Sequence, residues 1–345
     1  MKGMSAEQFI HPGLIFNKSD IPLILNRIHS VSKQKKTLSM ARKAYNTLMS
    51  AAPLSYTPHP HAIMGINWNV SVHGQEHVDL MNDGTASYTQ ALMYALTNDE
   101  TYAKNALNIV KTWSVANTVA KGQNMPLEFS WCQPRFASAL ELLKYTYPKY
   151  ASEGIPVEQL YFKWIDAVVM PQLSTPITWA VNNWLITMCA ARMQIAILRN
   201  DHAEFNKMVE AYESYLPKLI LPSGLPVEVH RDLCHTQFTM GSLAYVCELA
   251  KNQGVDLYSL NDNLLMKGFE MVASILLGES PPEVKGIPLN MVKWHPAYWD
   301  MVYAHYVNAK KMSMPKSAAI LSKNRPEWYL WCWGGSTLTS YVGLD

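Results

Sequence analysis

The sequence predicts an all-α fold, an (α/α) toroid or incomplete barrel of antiparallel helix pairs with little or no β-structure. Three observations carry this expectation. Apolar residues recur at helical spacing along ten segments. Strand signals are nearly absent. The connections are short and polar or rich in Pro and Gly, with no repeat of fixed length, which argues against an open solenoid. Ten helices exceed a four-helix bundle, so pairs stacked side by side around a central groove fit best. No Gly-Ser linker, charge block or low-complexity tract divides the chain, and residues 1–345 are read as one domain.

In chain order, helical spacing first appears at 37–52 and 85–96, the second ending at Asn98-Asp99. That pair also supplies a cap for 100–115, which stops before Lys121-Gly122. The segment 134–147 begins on a proline and ends at Pro148. Next come 157–173, 183–198 and 202–219, the last ending ahead of Pro222-Ser223-Gly224. The segment 235–253 is followed by 261–277, for which Ser259 is the expected cap, and Pro281-Pro282 closes it. The last is 296–310, where Pro296 suits a first helical position.

Composition narrows the function. Hydrophobic residues are 49% and charged residues 16%, so disorder is excluded. Lys plus Arg number 29 against 27 Asp plus Glu, a balance that does not suit a nucleic-acid binder. The longest apolar run, 185–198, is broken by Arg192 and Gln194, and a membrane span needs about 20 apolar residues. The start MKGMSAEQFIHPG has no apolar leader region, which leaves the compartment open. Five scattered cysteines form no CxxC, so buried free thiols are expected. Eleven Trp and eighteen Tyr fit either a large core or a cleft in which sugar C–H faces pack on rings.

Four segments can carry chemistry. Asn182-Asn183-Trp184 opens a helix; one Asn is explained as a cap, and the second offers an amide to a carboxylate. Glu228, His230, Arg231, Asp232 and His235 fall within eight residues. They form either a structural charge cluster or a site in which Arg grips a carboxylate and His titrates near neutrality. Arg231 and His235 would share a face if both were helical. His295, Trp299 and Tyr303 are spaced to share one helix face, in the core or on a groove. His73 and His77 are spaced i, i+4 but are not HExxH, so a polar substrate-facing loop is preferred over zinc. Gln133 and Arg135 stand among rings and are further ligand candidates. There is no GxGxxG, P-loop or GxSxG.

In their order these segments resemble the alginate-lyase-like superfamily of polysaccharide lyases. The matching pieces include Leu96-Thr97-Asn98-Asp99-Glu100, Asn182-Asn183-Trp184 and Arg231-Asp232-x-x-His235-Thr236-Gln237. They continue with Asn252-Gln253-Gly254-Val255-Asp256-Leu257-Tyr258, then Pro296 to Tyr306. The resemblance implies the toroid and β-elimination on an acidic 1,4-linked polyuronate such as alginate, polymannuronate or glucuronan, with no cofactor or metal. The C6 carboxylate is neutralised, a base takes the C5 proton and an acid protonates O4. By motif position the resemblance implies Asn183 as neutralising amide, His235 as the histidine and Tyr303 as the catalytic tyrosine. Arg231 is implied as a clamp on substrate or as a group orienting His235. A tyrosine of ordinary pKa, about 10, needs nearby cations to act as a base. Asn182, Trp184, Gln133, Arg135, His295, Tyr298, Trp299 and His77 complete the substrate-binding candidates. Two departures mark this chain: His295 stands where an Arg is expected, and Tyr298 is an extra residue between the proline and the tryptophan.

Two other classes compete with a lyase. A glycoside hydrolase on the same toroid needs paired carboxylates, for which Glu228, Asp232 and Asp300 are available. A non-catalytic glycan-binding or structural protein needs only the fold.

Overall fold

Which helices lie inside follows from how each spreads its apolar residues. The computed structural model describes residues 8–29, 35–67, 74–178, 181–287, 289 and 293–340. In chain order the elements are α1 (Asp20–His29), α2 (Lys35–Ala51), β1 (Ile63–Gly65), α3 (Gln75–Thr97), α4 (Glu100–Ala116) and β2 (Val119–Lys121). Then come α5 (Met125–Thr146), α6 (Tyr150–Glu153), α7 (Ile155–Trp164), α8 (Met170–Leu173), α9 (Asn183–Arg199) and α10 (His202–Leu219). The chain ends with α11 (Leu233–Asn252), α12 (Leu260–Leu276), α13 (Trp299–Tyr303), α14 (Pro315–Asn324), β3 (Tyr329–Leu330), β4 (Trp333–Gly334) and α15 (Ser336–Ser340).

Helices α5, α9 and α11 bury residues on every side, which places them in the interior. Helices α4 and α10 bury a single stripe and face water with the rest. Helix α3 packs on α4 and α5, α5 on α9, and α9 on α10 and α11. An inner row of helices is thus backed by an outer one, the arrangement of the expected toroid. The strands among the described residues are short: β1 pairs in parallel with β2, and β3 pairs antiparallel with β4 across the turn Trp331-Cys332. No helix among the described residues is long and apolar enough to cross a membrane.

Several boundaries differ from expectation. Helix α3 starts at Gln75, so His77 lies on a buried helix face and not in a polar loop; His73 falls outside the described residues. Helix α5 begins nine residues before Pro134 and runs through it. Asp99 caps α4 by accepting the Thr101 N–H, as expected, whereas the Ser259 side chain does not cap α12. Asn261, Asp262 and Asn263 are left-handed, so regular helix begins after them. Tyr298 is also left-handed and α13 starts only at Trp299. His295 and Pro296 therefore precede the helix, and of the three only Trp299 and Tyr303 share a helix face.

One packing detail positions the chemistry. Leu233, the first residue of α11, is fully buried against Leu225 and Val229. A buried side chain of this kind contributes about 1.5–3 kcal/mol. That apolar knot fixes where α11 starts, and with it Asp232 and His235.

Candidate active site

Asp232 is the N-cap of α11. Its Oδ1 accepts the His235 backbone N–H at 2.7 Å, and its Oδ2 accepts from the same residue's ring Nδ1 at 2.7 Å. The cap therefore also orients the imidazole. With Nδ1 as donor, Nε2 holds the lone pair and makes no hydrogen bond among the described residues. Burial pushes the Asp232 carboxyl up, but the His235 N–H and ring, aided by Arg231, outweigh it and hold the pKa below its ordinary value. Arg231 lies before the helix, so it shares no helix face with His235. Both converge on Asp232 instead, with Arg231 Nε 3.8 Å from Oδ2. The Arg231 side chain is half exposed.

Asn183 meets this cluster through Glu228. Asn182 caps α9 by accepting the Trp184 N–H at 3.1 Å, which leaves Asn183 as the first helical residue, fully buried. Its backbone N–H reaches Glu228 Oε2 at 3.1 Å and its Nδ2 reaches Oε1 at 2.7 Å. The Thr239 hydroxyl donates to the same carboxylate. Arg231 Nη1 lies 3.6 Å from Glu228 Oε1, so the amide and the guanidinium are brought beside one oxygen. One hydrogen of the Asn183 amide serves Glu228; a second remains.

An aromatic wall adjoins these groups. Phe238 stacks on Trp333 with centroids 5.0 Å apart and meets the Trp331 edge at 4.8 Å; Trp331 lies flat on Trp131 at 4.0 Å. His235 and His295 flank Phe238 at 5.6 and 5.7 Å. The His295 N–H donates to Gln237 Oε1 at 2.7 Å, and its Nε2 is 3.4 Å from Cys234 Sγ. Burial lowers the His295 pKa, partly offset by Asp232. Burial, then Asp232, pushes the Cys234 thiol up to about 11. Behind the wall, His77 Nδ1 is hydrogen-bonded to Glu128, which also accepts from Asn124 Nδ2 at 2.5 Å. The Trp331 indole N–H donates to His77 Nε2 at 3.2 Å.

The other expected ligands sit inside the protein. Gln133 donates to the Tyr161 hydroxyl. Arg135 is buried and donates to the carbonyls of Trp331 and Trp333, under the rings of Tyr88 and Tyr329. The Tyr298 hydroxyl donates to the Cys332 carbonyl. The Trp299 indole donates to the His295 carbonyl at 3.2 Å. These four are buried and hydrogen-bonded within the protein. Trp184 is also buried, on α9. Tyr303 is buried and lines a cavity with Val307, Lys311, Met312, Met314 and Ala318. Asp300 is enclosed and paired with Arg325. No group of three or more His, Cys, Asp or Glu able to hold a metal occurs among the described residues.

Sequence reasoning missed Trp331 and Glu128. The ring-rich run Trp328-Tyr329-Leu330-Trp331-Cys332-Trp333 was a signal for the first. Glu128 fell outside the expected helix, so nothing in the pattern paired it with His77.

The helical toroid that carries these groups is the fold of polysaccharide lyases. Residues 32–281 match the family model for alginate lyase, and the chain belongs to that family. Its fold is that of alginate lyase A1-III from Sphingomonas species A1, with a TM-score of 0.72, 19% identity, and 96% of this chain and 99% of that one covered. A histidine-to-alanine variant of A1-III complexed with tetrasaccharide gives a TM-score of 0.69 at 16% identity, covering 96% and 98%. An alginate lyase from Bacteroides ovatus gives 0.67 at 13%, covering 96% and 100%. No curated protein matches the chain significantly in sequence.

Proposed function

We propose that this lyase cleaves a 1,4-linked polyuronate, alginate first among them, by β-elimination at His235. The observation that carries the reading is the His235 ring: Nδ1 is anchored by Asp232, which Arg231 also approaches, and Nε2 makes no hydrogen bond among the described residues. Arg231 and the second amide hydrogen of Asn183 bind the C6 carboxylate, which makes the C5 proton acidic. His235 Nε2 takes that proton. The C5–H electrons form the C4–C5 double bond as the C4–O4 bond breaks, and the imidazolium returns the proton to O4. One group performs both steps only where H5 and O4 share a face, as in mannuronate and glucuronate. The A1-III complex with tetrasaccharide supports an oligosaccharide as the ligand of this fold.

The test is ultraviolet absorbance of the new double bond on polymannuronate, polyguluronate, glucuronan and hyaluronan. A rise on polymannuronate or glucuronan, lost in His235→Ala, is the expected result. Silence on all four with folded protein overturns the reading, as do new reducing ends without a double bond. A hydrolase has little support here, because Asp300 is enclosed with Arg325 and Glu228 is committed to Asn183 and Thr239.

A further inference from the structure

Trp331 occupies the first central position of the two-residue turn between β3 and β4, with φ at 48°. That position takes positive φ and usually carries glycine. A tryptophan there is strained and must be held by its surroundings. Three neighbours hold it. Arg135 donates to the Trp331 and Trp333 carbonyls at 2.9 and 2.8 Å, and Tyr298 donates to the Cys332 carbonyl between them. The indole N–H is tied to His77, which is itself oriented by Glu128.

The result is a ring fixed in one orientation. Trp131 covers one face of it. Trp131, Phe238 and Trp333 are buried, while Trp331 alone of the four keeps partial exposure. Its edge meets Phe238, whose own edge is flanked by His235. A flat, apolar, rigid surface thus adjoins the proposed base.

We propose that Trp331 is the platform on which a pyranose ring of the polyuronate stacks, in the subsite next to His235. This rests on the polyuronate reading above. The π face of an indole is electron-rich, so it attracts sugar C–H groups and repels a carboxylate. The platform therefore binds the ring and turns its C6 carboxylate away, toward Arg231. His77 and Glu128 are positioning residues that act through the indole N–H.

Kinetics of Trp331→Ala and Trp331→Phe test this with mannuronate and glucuronate tetrasaccharides. In Trp331→Ala, KM rises about tenfold with kcat held within about twofold. Trp331→Phe keeps a ring and recovers most of that loss. In a His235→Ala background, the fluorescence change on adding the tetrasaccharides largely disappears when Trp331 becomes Phe. An unchanged KM in Trp331→Ala, or a loss confined to kcat, overturns the platform while leaving the lyase reading intact. Trp331-dependent binding without turnover of any polymer overturns the lyase reading and leaves the platform. If Trp331→Ala does not fold, an unaltered fluorescence response in Trp331→Phe overturns it, as does the absence of any response in its Trp331-containing parent.

Discussion

Two carboxylate–histidine pairs stand on either side of one aromatic wall and differ in what the second ring nitrogen meets. In the His235–Asp232 pair the side chains are 29% and 21% exposed, and Nε2 faces no partner among the described residues. In the His77–Glu128 pair they are 6% and 0% exposed, and Nε2 accepts the Trp331 indole. The same two functional groups thus leave the second ring nitrogen open among the described residues in one place and committed to an indole in the other. Water access and a third residue decide which.

Breaking the first pair has the largest effect. His235→Ala removes the base and lowers kcat by about a thousandfold, with little change in melting temperature. Comparable turnover in the variant would sink the assignment. Asp232→Asn keeps the helix cap, since Asn caps as well as Asp. It replaces the carboxylate that selects the His235 tautomer, so kcat falls about a hundredfold. A variant as active as wild type would show that the ring needs no orienting partner.

The second pair answers to a different instrument. His77→Ala leaves the Glu128 carboxylate buried without its ring partner and costs about 2–4 kcal/mol of stability, read in urea or thermal unfolding. The fall in kcat stays well below that of His235→Ala. A normal melt combined with an inactive enzyme would make His77 a catalytic residue and erase the contrast.

Another carboxylate, buried like Glu128, sharpens the comparison because it has no histidine at all. Glu327 accepts the backbone N–H groups of Ala297 and Trp299 at 3.2 and 2.9 Å, and pairs with the Ser336 hydroxyl. Burial, then the charge of Asp300, raises its pKa from 4.5 to about 7. The folded state therefore holds a proton that the unfolded chain has released between those values. This contribution to stability is fully present below pH 4.5 and is lost as pH rises through about 7. Glu327→Gln keeps an acceptor for both N–H groups and removes the titration. The stability difference between about pH 5 and pH 8 shrinks by about 1–3 kcal/mol in the variant. An unchanged pH slope in equilibrium unfolding would refute it.

Local pattern reached far into the fold. The segments 100–115, 183–198 and 202–219 match α4, α9 and α10 to within one residue at each end. Their apolar spacing and caps are local properties, so no partner was needed to recognise them. The site was only half legible. Asn183, Arg231 and His235 stood out as polar residues beside apolar runs, and the structure gathers them around Glu228 and Asp232. Arg135, Gln133 and Tyr298 stood out for the same reason, yet they serve the interior. Polarity inside a ring-rich segment marks a residue that needs partners, and does not say whether they are substrate or backbone.

What the sequence determined by itself was the periodicity, and with it a chain built almost wholly of helices. What only the tertiary structure decided was pairing across long separations. His77 meets Glu128 and Trp331, Asn183 meets Glu228, and Arg135 meets the Trp331 and Trp333 carbonyls. Helical period is set by neighbours three and four residues away, within reach of local sterics and hydrogen bonds. Which buried polar group satisfies which other is set by the packing of helices far apart in the chain, and that has no local signal to read.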